Sequence, residues 1–262
     1  MKEIGENLTK RTLAGLKVVP VQERAPYLNM LIYGDSGVGK TTLAGSADAV
    51  PEMRPVLFVD VEGGTESLRH VYPDVDTVRV TKWNEIADLY SELQRGQHGY
   101  STIVLDSLTE IQKFNMYEIM RALMAAFPDR DPDVPSMREW GKNLEQIRRF
   151  VRRFRDLPMH TVFTALSKED KDEKTGKITT RPSLSGKLAG EVSAFLDIVG
   201  YYYVKTVKEE KEDHVRLLLT QRTEKFIAKD RSGKLPTVIE SPTMKSLFDI
   251  MNSKTNTQEN KK

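Results

Sequence analysis

The residues with the clearest chemical meaning form one stretch, 34–42, which reads GDSGVGKTT. Glycines at its start and before its lysine allow backbone angles that a Cβ would forbid, so successive N–H groups can converge on phosphate oxygens at the start of a helix. Lys40 can then reach the β and γ phosphates, and the hydroxyl of Thr41 can bind magnesium. The stretch predicts a Walker A phosphate loop made of Gly34, Asp35, Ser36, Gly37, Val38, Gly39, Lys40, Thr41 and Thr42.

The phosphate loop lies between an apolar run, YLNMLIY, and a segment compatible with a helix, TTLAGSA. A strand that enters the loop and a helix that leaves it are the context in which this motif binds nucleotides. An ordinary glycine-rich turn requires neither neighbour, so the flanking segments favour a nucleotide site.

A second apolar strand, STIVLDS, places Asp106 directly after its apolar residues. At the carboxyl end of a parallel strand next to the phosphate loop, a carboxylate can hold the magnesium shell through water. This is the pattern of a Walker B motif, and the alternative is an aspartate that only terminates the strand. Thr41 and Asp106 are therefore the predicted metal-site residues.

A third apolar strand, PVLFVDVEGG, ends in Asp60 and Glu62. Hydrolysis needs a carboxylate that orients and polarises the attacking water, and Glu62 at a strand end beside the loop can be that base. The alternative is that both acids cap the helix predicted to begin near Thr65. We expect Glu62 to act on water and Asp60 to act as a cap.

Short β-branched runs alternate with longer helical runs along the chain, which predicts an α/β fold with a mainly parallel sheet and helices on both faces. The expected strands are 28–33, 55–60, 76–80, 102–106, 160–166, 198–204 and 214–220. The expected helices are 40–48, 64–71, 83–95, 108–126, 137–157, 187–196 and 243–251. Residues 127–135, with three prolines and three aspartates, and the charged segment 168–177 are expected to be loops.

The 262 residues are enough for one large α/β domain, expected at 26–251, with an N-terminal extension at 1–25 and a disordered tail at 252–262. The absence of cysteine excludes disulfides and cysteine-ligated zinc, and the four histidines are scattered. No apolar stretch approaches about 18 residues and no signal peptide is evident, so we expect a cytoplasmic protein without a membrane partner. The net charge of +2 does not favour a polyanion.

The motif order resembles the RecA-type recombinase core. GDSGVGKTT, VLFVDVEGG, STIVLDS and HTVFTALS follow one another, and then come a charged loop, RPSLSGKL and a further strand. The chain is most similar to the short phage-encoded RecA-like proteins of the Sak-four group, which act in single-strand annealing or as recombination mediators. The resemblance covers about residues 26–235.

The resemblance implies a RecA-like P-loop ATPase that uses ATP and Mg²⁺ and is stimulated by DNA. It implies binding of single-stranded DNA, and promotion of strand annealing or homologous recombination. It also implies a homo-oligomer, either a ring or a filament, a single-strand DNA-binding protein as a further partner, and the host cytoplasm as its location.

In RecA-like ATPases the segment after the fifth core strand is the mobile DNA-binding loop, which the resemblance places at 167–187. Its predicted DNA-binding residues are Lys168, Lys171, Lys174, Lys177 and Arg181. Four acids lie among these cations, so a solvated hairpin is an equal alternative. The family commonly has a glutamine as γ-phosphate sensor where this strand ends, but Leu166 and Ser167 stand there in this sequence.

Lys229 and Arg231 lie in a K-x-R spacing at the end of an expected strand, KFIAK. Alternate residues of an extended segment face the same way, so both cations can reach one phosphate. The resemblance implies that such a pair completes the active site of a neighbouring subunit, so we count both as catalytic. The alternative is a solvated turn, KDRSG.

An amphipathic helix is predicted near residues 144–157. Its apolar face contains Leu144, Ile147, Phe150, Val151, Phe154 and Leu157. Its arginines are Arg148, Arg149, Arg152, Arg153 and Arg155. From this cluster we expect Arg148, Arg152 and Arg155 to bind DNA phosphates, while the alternative is the solvated face of an ordinary helix.

Two other functions fit parts of the sequence. A GTP-binding switch is suggested by DVEG at 60–63 and by SKED at 167–170, which loosely resembles the guanine motif, although serine replaces its asparagine. A P-loop ATPase for packaging or for remodelling a partner, without binding to single strands, is the other alternative.

Overall fold

The structure is a computed structural model that describes residues 11–20, 27–208 and 212–253. The expected N-terminal extension and tail therefore lie largely outside the described residues, and the domain boundaries stay a prediction. In the part that is described, β1 (Arg11–Leu13) and β2 (Leu16–Val18) pair with each other in a small antiparallel sheet.

Ten further strands form the main sheet of the described chain. They are β3 (Asn29–Gly34), β4 (Val56–Asp60), β5 (Asp76–Arg79), β6 (Thr102–Asp106), β7 (His160–Lys171), β8 (Ile178–Pro182), β9 (Ile198–Lys208), β10 (Glu212–Leu219), β11 (Lys229–Asp230) and β12 (Val238–Glu240). The strand order is β12-β10-β9-β3-β7-β6-β4-β5, with β8 beside β7 and β11 beside β9. The pairs from β9 across to β5 are parallel, whereas β8, β10, β11 and β12 join antiparallel.

The helices are α1 (Lys40–Gly45), α2 (Trp83–Arg95), α3 (Leu108–Ala126), α4 (Met137–Arg155), α5 (Leu188–Phe195) and α6 (Met244–Asn252). Three short 3-10 helices are added at Ser46–Ala49, Pro51–Met53 and Thr65–Leu68. Several of these helices begin where a hydroxyl can accept a backbone N–H: Ser107 caps α3, Ser136 forms a capping box with Glu139 in α4, and Thr243 caps α6.

Alternate strand residues face two hydrophobic cores, one on each side of the sheet. Leu31 and Tyr33 of β3 belong to the core under α2, α3, α4 and α5. Met30 and Ile32 belong to the opposite core, under α1 and α6. The predicted α/β class, with a mainly parallel sheet and helices on both faces, is confirmed.

The seven predicted strands and the positions of the predicted helices are confirmed within a few residues, although the expected helix at 64–71 is a short 3-10 helix. The segment 168–177 differs from its expectation as a loop, because β7 continues to Lys171 and pairs with β8. The expected strand KFIAK is wrong: Lys229 and Asp230 pair with the start of β9, and Phe226 forms only an isolated bridge with Thr180. Among the described residues, none of the helices has the length and hydropathy needed to cross a membrane.

Candidate functional site

The phosphate loop connects the carboxyl end of β3 with the first residue of α1. Gly37 and Gly39 have φ angles of +77° and +99°, a region that side chains with a Cβ rarely adopt. Gly34 has no room for a side chain, because an added Cβ would lie 2.1 Å from the carbonyl oxygen of Tyr202. The loop thus has the backbone geometry that a phosphate cradle requires.

The Lys40 side chain is folded into this loop. Its Nζ donates to the carbonyl oxygens of Gly34 at 3.0 Å and Asp35 at 2.7 Å, and the residue is only 9% exposed. Burial lowers the pKa of Lys40, although Asp106 and Glu62 oppose that shift. A buried ammonium among backbone carbonyls is positioned to exchange these acceptors for phosphate oxygens.

Asp106 reaches the phosphate loop from a strand that is not adjacent to it. The sheet places β7 between β3 and β6, so the Asp106 strand lies one strand away from the strand that enters the loop. The hydroxyl of Thr41 nevertheless donates to Asp106 Oδ2 at 2.7 Å, and Thr164 on β7 donates to the other carboxylate oxygen. The two predicted metal-site residues are therefore in direct contact.

Glu62 lies beyond the end of β4, next to the start of α3. Its carboxylate accepts a hydrogen bond from the hydroxyl of Ser107, the N-cap residue of α3. Gly64 follows closely in the chain and lies next to Thr41 and Asp106. A Cβ built on Gly64 would lie 3.7 Å from the Thr41 hydroxyl. Ser107, Gly64 and Thr164 were not found from the sequence, since their roles depend on strand order rather than on a local motif.

Asp60 has a structural role in the turn after β4, but it is not the expected cap, because the short 3-10 helix that follows has no side-chain cap. Its carboxylate accepts hydrogen bonds from the backbone N–H of Gly63 at 2.5 Å and from the hydroxyl of Thr65 at 3.0 Å, and it pairs with Arg79 at 3.2 Å. Burial alone would raise the pKa of Asp60, but these hydrogen bonds and Arg79 hold it below its usual value. Asp60 fixes the turn that carries Glu62.

The oxygen groups of Thr41 and Asp106 suit Mg²⁺, which prefers hard oxygen ligands and usually keeps several waters while it binds one or two carboxylates and substrate phosphates. In the described part of the chain, no group of three or more histidine or acidic side chains could hold a metal by itself. The donor set therefore fits a cation that is bound together with phosphates.

A cavity of about 300 Å³ opens beside the first turn of α1. Gly39, Thr42, Tyr202 and Arg216 are among its lining residues, and Arg216 Nε donates to the carbonyl of Val38 at 3.1 Å. The cavity joins the phosphate loop on the side of β9 and β10. Neither Tyr202 nor Arg216 was expected at the site, since nothing in their local sequence marks them.

The hairpin of β7 and β8 begins at the phosphate loop, because the hydroxyl of Ser167 donates to the Asp35 carboxylate. The side chains of Lys171, Lys174 and Lys177 are exposed, Lys168 is half-buried, and none of the four has an ion-pair partner among the described residues. Arg181 differs from these lysines. It pairs with Asp170 and donates to the carbonyl of Gly186 at 3.0 Å.

The amphipathic helix is confirmed as α4, and its apolar face is buried. Its three predicted DNA-binding arginines all have partners within the chain. Arg148 pairs with Glu145 and with Glu191 on α5, Arg155 pairs with Asp156, and Arg152 lies over the ring of Phe195 at 4.3 Å. These contacts reduce the positive field that the sequence predicts at this face.

The side chains of Lys229 and Arg231 face the same way, as their spacing predicts. Both contact the C-terminal end of α5. Lys229 Nζ donates to the carbonyls of Ser193, Ala194 and Leu196 at 3.3, 3.0 and 2.7 Å. Arg231 pairs with Asp197 at 2.6 Å and donates to the same Ala194 carbonyl. Both lie near the amino end of β9, at the opposite end of the parallel strands from this chain's own phosphate loop, so their expected role at the active site of a neighbouring subunit stays a prediction.

Solved structures to which the chain is similar include the RadB recombinase, at 16% identity, with 74% of this chain and 81% of that chain covered and a TM-score of 0.42. Another is a prototypical ATPase from the type III secretion system of pathogenic bacteria, at 16% identity, 66% and 50% coverage and a TM-score of 0.43. A third is the ATPase EscN from the type III secretion system of enteropathogenic E. coli, at 18% identity, 67% and 43% coverage and a TM-score of 0.44. The chain thus spans half or less of these two secretion ATPases, and the TM-scores are too low to support an argument about function.

No curated protein matches the sequence significantly. A family model described as an AAA domain matches residues 27–232, which include the phosphate loop, Glu62, Asp106 and the β7–β8 hairpin. The match covers well over half of the chain and all the groups that meet around Lys40. The chain therefore belongs to the AAA domain family and is a P-loop ATPase.

Proposed function

We propose that the site around Lys40 hydrolyses ATP in a Mg²⁺-dependent reaction. The observation that carries this proposal is the 2.7 Å hydrogen bond between Thr41 and Asp106, because it joins the hydroxyl and the carboxylate that a phosphate-bound cation needs. Mg²⁺, when bound, neutralises negative charge on the phosphates. Lys40 binds phosphate oxygens in place of its present carbonyl partners.

Glu62 is the proposed general base. It accepts a proton from water as the water oxygen bonds to the γ-phosphorus, and the bond from that phosphorus to the β–γ bridging oxygen breaks. Ser107 holds the Glu62 carboxylate in place through its hydroxyl. The nucleoside lies in the adjoining cavity, where Arg216 offers a planar cation.

The guanine alternative loses support from the position of its second motif. Residues 167–170 are part of β7, and Asp170 pairs with Arg181 of β8 instead of facing the cavity beside α1. Asp60 of the first motif is held inside its own turn. We therefore favour ATP over GTP.

We further propose that the protein binds single-stranded DNA through Lys168, Lys171, Lys174 and Lys177 and promotes strand annealing or recombination as a homo-oligomer. The support is the position of these lysines on a hairpin that starts at the phosphate loop, through Ser167 and Asp35. A hairpin in contact with the loop can respond to nucleotide, and exposed lysines without acidic partners suit a phosphate backbone.

Fluorescence anisotropy with a labelled oligonucleotide tests the DNA function. Changing Lys171, Lys174 and Lys177 to Ala should weaken binding to all sequences alike and make the slope of log affinity against log salt shallower by about 2. The matched control changes three exposed lysines elsewhere, Lys82, Lys142 and Lys245, and should keep the parent slope.

Two results would contradict the DNA proposal. If the parent binds no oligonucleotide at about 50 mM salt, where phosphate contacts are strong, the packaging or remodelling ATPase becomes the better interpretation. If the parent binds DNA and the hairpin variant keeps its salt slope, the DNA site lies elsewhere on the molecule.

A further inference from the structure

A groove on the surface between α2 and α4 combines aromatic rings with exposed positive charge. One helix contributes Trp83, Ile86, Ala87 and Tyr90, and the other contributes Gln146, Arg149, Phe150 and Arg153. Both sets have the spacing i, i+3, i+4, i+7, so each forms one stripe along its helix. The groove has a volume of about 180 Å³.

Aromatic rings form the floor and one wall of the groove. Trp83 lies 5.7 Å from Phe150, and Tyr90 lies 5.4 Å from Phe154, measured between ring centroids. Phe150 and Phe154 are buried, whereas Trp83 and Tyr90 are half-buried and keep part of their rings accessible. Parts of the Trp83 and Tyr90 rings are therefore accessible to a ligand.

The two arginines of the groove have no close acidic partner among the described residues. The nearest acid to Arg149 is Glu145, at 3.9 Å, and its side chain is 58% exposed. Arg153 lies over the Tyr90 ring at 5.7 Å and has no acidic partner in the described chain. No acid lines the groove among the residues that the structure describes, so the groove carries two positive charges that face solvent.

One residue that lines the groove has a buried polar atom without a hydrogen-bond partner. Gln146 Oε1 is buried and has no hydrogen-bond partner among the described residues. Burying such an oxygen without a partner costs free energy. Aromatic rings for stacking and cations for phosphates are groups that bind a nucleotide.

We propose that this groove binds one nucleotide of a single strand, with the base stacked on Trp83 and Tyr90 and the adjacent phosphates bound by Arg149 and Arg153. This inference rests on the proposed DNA function, but it places a second contact on a face that the sequence did not indicate. The expected arginines, Arg148, Arg152 and Arg155, lie on the other side of α4, where they already have partners.

Tryptophan emission tests the groove directly. The chain has two tryptophans, so a Trp140→Phe background leaves Trp83 as the reporter. Addition of oligothymidylate should change Trp83 emission, whereas dTMP at the same nucleotide concentration should not. Changing Arg149 and Arg153 to Glu should abolish the response and weaken oligothymidylate affinity at least about fivefold. Arg138→Glu, an exposed arginine of the same helix, should leave both unchanged.

A second variant, Arg149→Ala, serves as a control for folding. Its exposed side chain has only a long ion pair, with Glu145 at 3.9 Å, so its thermal unfolding should match that of the parent. Anisotropy on the same samples separates the two proposals. If oligothymidylate is bound while Trp83 emission stays constant, or if the double variant binds like the parent, the groove is not a DNA site although the DNA function stands. An equal response to dTMP would identify a free nucleotide as the ligand instead. If the parent binds no oligonucleotide, the groove proposal falls together with the DNA function.

Discussion

At the scale of single residues, the Asp106 carboxylate has two hydroxyl donors, Thr41 and Thr164, one on each oxygen. An asparagine at this position has only one acceptor oxygen, so one hydroxyl would lose its partner and the negative charge would disappear. Groups that orient a metal or its ligands typically change metal affinity by about 10–100-fold.

We therefore predict that Asp106→Asn lowers nucleotide affinity in the presence of Mg²⁺ by about 10–100-fold and has little effect in its absence. Titration of a fluorescent ATP analogue with and without Mg²⁺ measures this difference. Asp129→Asn, in the exposed loop after α3, is the matched control. Equal Mg²⁺-dependent affinity for Asp106→Asn and the parent would remove Asp106 from the metal site.

At the scale of elements, the contact between β11 and the end of α5 explains Lys229. Cations stabilise helix C-termini because the last carbonyls have no partners inside the helix. We predict that Lys229→Ala lowers the free energy of unfolding by about 1–2 kcal/mol, since a half-buried charge with three carbonyl acceptors is lost.

Urea denaturation measures this loss, with Lys225→Ala as a control from the same segment, because Lys225 is exposed and lies 3.5 Å from Glu169. Unchanged stability of Lys229→Ala, together with lost ATP turnover, would instead support the expected role of this lysine in a neighbouring active site.

The start of β7 has a pH-sensitive contact. His160 Nδ1 accepts a hydrogen bond from the backbone N–H of Leu28 at 3.0 Å, which requires that nitrogen to be unprotonated. Burial lowers the pKa of His160 below 6.5. Its contribution to stability is therefore present above pH 6.5 and is lost as the pH falls through the lowered value.

We predict that the free energy of unfolding of the parent decreases below pH 6.5, and that His160→Asn reduces this dependence because an amide oxygen accepts without titrating. Denaturation at a series of pH values measures it, and His70→Asn, at an exposed histidine, should keep the parent profile. An identical profile for His160→Asn would assign the pH dependence to other groups.

At the scale of the whole molecule, sequence patterns predicted those parts of the fold in which burial sets the pattern. The strands beside the phosphate loop are mostly apolar because helices cover both faces of the sheet. The β7–β8 hairpin was expected only as an alternative to a mobile loop, because its exposed, charged residues lack an apolar alternation.

The partners of charged residues were the least predictable part of the site. The sequence places Arg148 on the polar face of α4, but its partner Glu191 lies on another helix. The spacing of Lys229 and Arg231 correctly predicts a common direction but not the helix end that they face. Such contacts depend on how elements pack, and no local motif encodes them.

The most direct test of the account is ATP turnover by the full chain with Glu62→Gln. The amide keeps the size of the side chain but cannot accept the proton, so the variant should bind ATP like the parent and hydrolyse it about 10²–10⁴-fold more slowly. Glu66→Gln, an exposed acid that pairs with Arg69, is the control and should turn over ATP at the parent rate. Parent-level hydrolysis by Glu62→Gln, or no hydrolysis by the parent, would contradict the account.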